Sequence, residues 1–412
     1  MKIADRIILN LFFLYVFMLP FENIQEVAWG IDTPYRAYRI LALFIGFLIL
    51  TTRKIRVIKF YKNDLKLLWV YLFGLLPSAI AWADSRLLAE YFWLTSLQYF
   101  IVLWILLLIK NLPFEIRHAY TCMNLYGIGV LINCLFMIYN FIFTDIGRQS
   151  GWMDNANFAA FANNIAFAYF FYLFYIKEGS MLSIPRILLL IASFITLIGL
   201  FVTGSRSSLI SLSMSILIII FYKANFRKAL LNLAMMLFPV FIFFQFVDFN
   251  KFITKAPLWD RLISLNNSED PRRVLWTQGL EAFKDTYFIG LGIEQFKNPE
   301  NYRKYVHKSE NVSAANQDGL VLHNDYLTVL FEFGILSFIM FIGFYYGLYN
   351  RLKIQIQINP KLFVFLVCFI NMVLFSMFDS SFQSHSMWFV YIILGIVAYM
   401  VPVPKQNLDF NK

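Results

Sequence analysis

Four short polar segments hold the side chains in this sequence that could do chemistry. Thr203-Gly204-Ser205-Arg206-Ser207-Ser208 is a tight turn between two apolar runs. Arg206 stands at the start of the second run, where a cation opposes the helix dipole. An anion beside it would gain from the guanidinium and from the first backbone N–H groups of the helix. The same place suits an arginine that stretches to lipid headgroups. Ser207, Ser208, Ser211, Ser213 and Ser215 are expected to let that helix pack closely on its neighbours.

Glu269-Asp270-Pro271-Arg272-Arg273-Val274-Leu275-Trp276 reads as a helix start, with Pro271 at the first helical position. The helix should run to about Asp285 and stop before Gly290-Leu291-Gly292. Trp276, Leu280 and Phe283 form an apolar stripe at helical spacing, and Arg272 lies one turn before Trp276 on that stripe. Arg273 falls with Thr277, Glu281 and Lys284 on the polar side. Arg272 is thus expected to face the membrane roof and Arg273 water; an interfacial helix with basic anchors is the other reading.

His323-Asn324-Asp325-Tyr326 stands at the mouth of an apolar run, and a histidine there can take up a proton near neutral pH. Equally, a lone histidine can be a structural residue. Gly147-Arg148-Gln149-Ser150-Gly151-Trp152-Met153-Asp154-Asn155-Ala156-Asn157 is a polar loop leading into another run. Trp152 could belong to an interfacial aromatic belt or stack on a sugar ring, and Asn157 could cap a helix or bind a ligand hydroxyl. The sequence shows no metal-ligand spacing, no phosphate-cradling glycine loop, no serine-nucleophile elbow and no sign of two-carboxylate catalysis. The chemistry on offer is several guanidinium groups for an anion, one possible base, and a place at the lipid boundary. A substrate with a phosphate at that boundary fits it.

These segments are positioned by apolar runs. The chain has 412 residues, 60% hydrophobic and only 15% charged, against roughly 25% charged in soluble domains. That excludes a soluble or disordered protein and points to an all-α polytopic membrane protein. A closed barrel is excluded because the runs are continuous rather than alternating. About 12 transmembrane helices are expected, centred on 7–21, 38–51, 67–83, 92–109, 120–143, 157–176, 187–203, 207–222, 229–247, 324–349, 361–378 and 386–402. The first is expected to be retained, because no small-residue cleavage site follows it. Cys122, Cys134 and Cys368 lie inside apolar runs and form no disulfide framework.

Most Lys and Arg fall in the segments on one side, including Arg53 to Lys66 and Lys223 to Lys228. In the short loops of the other side only Arg36, Arg39, Arg86, Arg148 and Arg206 occur. By the positive-inside bias both termini are expected in the cytoplasm, and all four polar segments on the opposite face. The net charge of +10 is then a matter of topology, and nucleic acid is not an expected partner. One long outer loop, 248–322, carries ten acidic and ten basic side chains and should fold over that face. The organisation expected is N-terminal helices over 1–145, central helices with the Arg148 and Arg206 loops over 146–247, the long loop, and C-terminal helices over 323–412.

In their order and spacing these pieces resemble the O-antigen ligase and polymerase family of bacterial membrane glycosyltransferases. The likeness runs from about Arg148 to Ser337. It is carried by Gly147-Arg148 with Asn155-Ala156-Asn157, by Thr203-Gly204-Ser205-Arg206, and by Arg272 with Trp276, then Gly290-Leu291-Gly292 and Phe296. His323-Asn324-Asp325-Tyr326 with Glu332-Phe333-Gly334-Ile335-Leu336 completes it. Relatives often have a proline where this chain has Ala156.

The resemblance implies a GT-C-like fold in the bacterial inner membrane, with its active site in the periplasm. It implies transfer of a glycan from undecaprenyl diphosphate to an acceptor hydroxyl, with inversion and with no metal or other cofactor. Arg206 and Arg272 would stabilise the diphosphate leaving group, and His323 would accept the acceptor's proton. Arg148, Asn157, Arg273, Asn324 and Trp276 are the expected substrate-binding residues. The acceptor would be lipid A–core in a ligase, or a second lipid-linked glycan in a polymerase. A flippase or transporter is the reading from another class. It would place ionisable or helix-breaking residues near the midplane of its spans, whereas these spans are nearly charge-free.

Overall fold

The computed structural model describes residues 3–29, 37–52, 62–82, 114–144, 148–153, 155–175, 185–221, 271–293, 295, 322–379 and 385–399. Among them there are helices and turns and no strand. Five helical stretches are long and apolar enough to cross a membrane: Ile3–Phe21, Ile116–Phe143, Ala156–Tyr175, Arg186–Thr203 and Ile335–Ile358. Shorter apolar helices cover Ala37–Thr51, Lys66–Leu75, Arg206–Phe221, Pro360–Ser376 and Phe389–Ala398. The expected spans at 92–109 and 229–247, and most of the 248–322 loop, lie outside the described residues.

In chain order the described helices are α1 (Ile3–Met18), α2 (Ile24–Trp29), α3 (Ala37–Thr52), α4 (Lys62–Trp82), α5 (Ile116–Phe143), α6 (Ala156–Tyr175), α7 (Arg186–Thr203) and α8 (Arg206–Phe221). They continue with α9 (Pro271–Asp285), α10 (Asp325–Thr328), α11 (Ile335–Ile358), α12 (Phe363–Ser376) and α13 (His385–Tyr399).

α6 is the axle of the bundle. Its alanines and aromatics leave it without a polar face, and a helix apolar all round is stable only when enclosed. Phe161, Ile165, Phe167 and Phe171 are all fully buried. Its two adjacent asparagines are buried too and bond to different neighbours. Cys134 of α5 donates to Asn163 Oδ1 at 3.0 Å. Asn164 Nδ2 donates to Ser208 O at 2.7 Å and to Ser211 Oγ at 2.8 Å. Ser208, Ser211 and Ser215 form the packed face of α8. Ser213 does not: it is exposed and bonds its own backbone at Leu209 O, because its position is off the i, i+4 row that meets α6.

The polar bonds also fix the two ends of the bundle. At one end Tyr120 and Tyr175 donate to Lys361 O and Ile220 O. This sets the start of α5 and the end of α6 beside the start of α12 and the end of α8. Nearer the middle, Asn371 of α12 donates to Ser215 of α8 at 3.0 Å. The two helices are antiparallel, so equal steps from that bond reach Ser208 and Phe378. The Arg206 turn and the residues after α12 therefore share the opposite end.

The expected span 324–349 is broken. α10 passes into a π turn, Val329–Phe333, and stops at Gly334, whose φ is 89°. The cause is an exchange of backbone hydrogen bonds with the turn that follows α9. Leu291 N donates to Phe331 O at 2.9 Å, Gly292 N to Glu332 O at 2.9 Å, and Ile335 N to Phe288 O at 3.2 Å. A Cβ on Gly334 would overlap Ile289 O, and one on Gly290 would lie 2.6 Å from Glu332 O. Both positions have positive φ, so the two glycines serve close approach and backbone conformation at once.

Gly334→Ala should therefore lower stability by about 2 kcal/mol or more, from left-handed strain plus overlap. Gly343→Ala, where the nearest atom to a Cβ is 3.5 Å away on Lys66, should leave it nearly unchanged. Thermal unfolding of the two variants in the same detergent checks both statements.

Candidate functional site

His323 sits immediately before α10 in a left-handed conformation, φ 49°, which is uncommon for a residue with a Cβ. Four contacts around it hold this geometry. Asn324 caps α10, accepting from Leu327 N at 3.0 Å, and its Nδ2 donates to Met377 O at 2.9 Å. Trp276 Nε1 donates to Leu322 O at 2.8 Å. Thr328 donates to Asn324 O at 2.9 Å. Below them Leu275, Ala282, Phe283, Leu291, Leu322 and Phe331 form a small apolar cluster joining α9 to the α10 segment. Gly279 allows that approach, since a Cβ there would meet the Phe331 ring at 2.5 Å.

The imidazole faces a carboxylate. His323 Nδ1 lies 3.2 Å from Asp379 Oδ1, with the two side chains 29% and 3% exposed. Nδ1–H donated to a buried carboxylate fixes the ring and the tautomer, leaving the Nε2 lone pair for a proton. The histidine is open enough to meet a substrate, while its partner is not. The sequence reading did not single out Asp379. Its only signal is an acid directly after an apolar run, Phe375-Ser376-Met377-Phe378, and its pairing comes from the register of α12 against α10.

Arg148 and Asn157 are brought together. Arg148 Nε donates to Thr203 O at 2.9 Å, and its other arm donates to Asn157 Oδ1. Gln149 N donates to Val202 O at 3.3 Å. The Arg148 loop thus clamps the last turn of α7, which ends at Gly204 in the left-handed conformation. Arg206 begins α8 two residues later, beside a first turn whose N–H groups have no partner within the helix. A cationic edge, Arg148 to Arg206, and the His323–Asp379 pair therefore stand at the same end of the bundle.

Several of the expected residues also have partners within the fold. Trp276 and Asn324 spend their polar groups on the backbone around His323. Trp152 is half-buried, stacked on Phe136 at 4.3 Å and packed against Phe21. The packed face of α9 is Leu275, Gly279, Ala282 and Phe283, with Leu280 41% exposed. The stripe read as Trp276, Leu280 and Phe283 is rotated by about one residue, because Gly279 is where the neighbour comes closest. Arg272 and Arg273 lie in the first turn of α9, and their side chains are outside the described residues. Among the described residues no cluster of three metal-ligating side chains occurs.

A model of the family described as O-Antigen ligase matches residues 191–342. The matched stretch contains Arg206, Arg272, Trp276, His323 and Asn324; Arg148, Asn157 and Asp379 lie outside it. No curated protein matches the chain.

Arg148→Ala should cost about 2–4 kcal/mol of stability, because it strips a charged donor from two acceptors on buried residues, Thr203 and Asn157. Arg148→Lys should recover little of it, since one ammonium cannot reproduce the fork that reaches both Thr203 O and Asn157. Unfolding midpoints of both variants, beside wild type, test this.

Proposed function

We propose, taking residues 191–342 as an O-antigen ligase family segment, that the protein moves a glycan from a lipid diphosphate to an acceptor hydroxyl. The observation that carries this is the partly exposed His323 on the buried Asp379, at the same end of the bundle as the Arg206 helix start. The donor is a glycan on undecaprenyl diphosphate, held where its polyprenol can remain in the bilayer of the inner membrane. The site end of the bundle faces the periplasm. The acceptor is lipid A–core.

In the reaction, His323 Nε2 takes the proton from the acceptor hydroxyl as its oxygen attacks the anomeric carbon. The new C–O bond forms on the face opposite the diphosphate, whose C–O bond breaks with the electron pair leaving on phosphate oxygen. Inversion follows from that in-line geometry. Asp379 keeps the imidazole oriented and offsets the charge it gains. Arg206, the first-turn N–H groups of α8 and Arg272 stabilise the departing diphosphate. Guanidinium groups suit this job because they remain charged and meet phosphate in a planar, two-point manner. Arg148 and Asn157 support the site by fixing the Gly204 turn.

His323→Ala should reduce transfer by about 10²–10⁴-fold, and Arg206→Ala or Arg272→Ala by on the order of 3 kcal/mol of barrier. Asp379→Asn should also fall well below wild type, since an amide can hold the wrong tautomer. Arg273→Ala should be mild, and EDTA should have no effect. The assay is purified protein with one defined diphosphate-linked glycan and each acceptor in turn. Lipid A–core product identifies a ligase; a lengthened lipid-linked glycan would replace it with a polymerase. Wild-type rates for His323→Ala would remove the base from the mechanism.

A further inference from the structure

Beyond Asp285 the loop helix α9 ends in a turn built from three large apolar side chains facing outward. Tyr287, Phe288 and Ile289 are 84%, 53% and 53% exposed. Tyr287 and Phe288 both take positive φ, 51° and 66°, a conformation bulky residues seldom adopt. It is held by Tyr287 N donating to Lys284 O, Phe288 N to Phe283 O, and Ile335 N to Phe288 O. The last bond fixes the depth of the turn against α11.

α11 has 24 residues, and its charged end carries Arg351 and Lys353. A hydrocarbon core about 30 Å thick takes about 20 residues of helix. Counted back from Arg351, it reaches to about Phe331. Ile335, and with it Phe288, then lies inside the apolar layer, near its edge on the His323 side. The surrounding surface agrees. Ile335, Leu336, Ile339 and Ile342 on α11 are exposed, as is Leu280 on α9, so the turn continues the lipid-facing surface of a spanning helix. Glu281 lies away from this edge of α9.

We propose that the 285–292 turn is a membrane-inserted foot, its partner being the acyl chains of the leaflet on the His323 side. The foot explains why an outer-loop segment spends two left-handed non-glycine residues to turn aromatic and aliphatic side chains outward. It also sets the height of α9, and so of its first turn with Arg272, relative to the lipid surface. The inference rests on α11 spanning the membrane and is independent of the transferase reaction.

The test uses full-length protein in nanodiscs carrying Phe288→Cys, with Glu281→Cys as reference, each labelled with an environment-sensitive fluorophore. The native cysteines are buried, so label goes to the introduced thiol. Lipids brominated along the acyl chain should quench the 288 label at least threefold more than the 281 label, and aqueous iodide should show the reverse order. Iodide quenching at 288 equal to that at 281, without bromolipid quenching, would place the turn in water and overturn the proposal. Protection from both quenchers would mean that protein, such as a second copy of the chain, covers the tip, and would equally overturn it. Should Phe288→Cys fail to fold, Tyr287→Cys carries the same comparison.

Discussion

The arrangement of the site depends on a trade of backbone hydrogen bonds at Gly334. A continuous helix from Asp325 to Ile358 would satisfy Phe331 O and Glu332 O internally, and no loop could dock on it through its main chain. By opening one π turn, the helix gives those carbonyls to Leu291 N and Gly292 N and takes Phe288 O for Ile335 N. The number of bonds is nearly conserved, which matters where water is scarce and each orphaned peptide group is costly. The gain is a rigid joint between a helix of the long loop and a membrane helix. Across that joint α9 is fixed against the backbone that presents His323.

Around the joint, each polar contact has a mechanical role. Trp276 holds Leu322 O, Asn324 ties the start of α10 to Met377 O, and Asp379 receives the imidazole. Three segments far apart in the chain thus meet within a few residues of His323. On the other flank, Arg148 does for the Gly204 turn what Trp276 does for His323: it grips the backbone beside the residue that matters. For the proposed transfer such rigidity would matter, because preorganised charge is worth more than charge that must move into place.

Much of this was legible in the residues. Pro271 and Gly290 bounded α9, the serine row of α8 announced close packing, and the polar segments stood out because the rest of the chain is so apolar. The O-antigen ligase family likeness was legible from motif order alone, and the matched residues 191–342 cover three of its four pieces. What was hidden shares one cause: it depends on how distant segments register. The acid after the apolar run at Asp379 does not tell which residue it will meet. The break at Gly334 cannot be read from Glu332-Phe333-Gly334, since a single glycine in an apolar helix is ordinary, and the partner that demands it lies more than forty residues earlier in the chain. The partners of Trp276 and Trp152, Leu322 O and the Phe136 and Phe21 rings, are likewise set by distant segments.

The same distinction explains why α9 was misread by one residue and why the error is informative. Trp276, Leu280 and Phe283 do form an apolar stripe, but a helix lying between protein and lipid has two apolar edges. One edge, Leu275, Gly279, Ala282 and Phe283, packs on the α10 segment. The next, from Leu280 to Tyr287, is left outward, while Trp276 packs against the cluster. A hydrophobic period alone cannot say which edge meets protein; the small residue does, since Gly279 is useful only where another chain segment comes close. The outward edge then acquires its own meaning, as a surface that water would penalise and acyl chains would not. A helix caught between these two apolar environments has its rotation determined from both sides, and its first turn, with Arg272 and Arg273, is carried to a fixed place relative to the bundle.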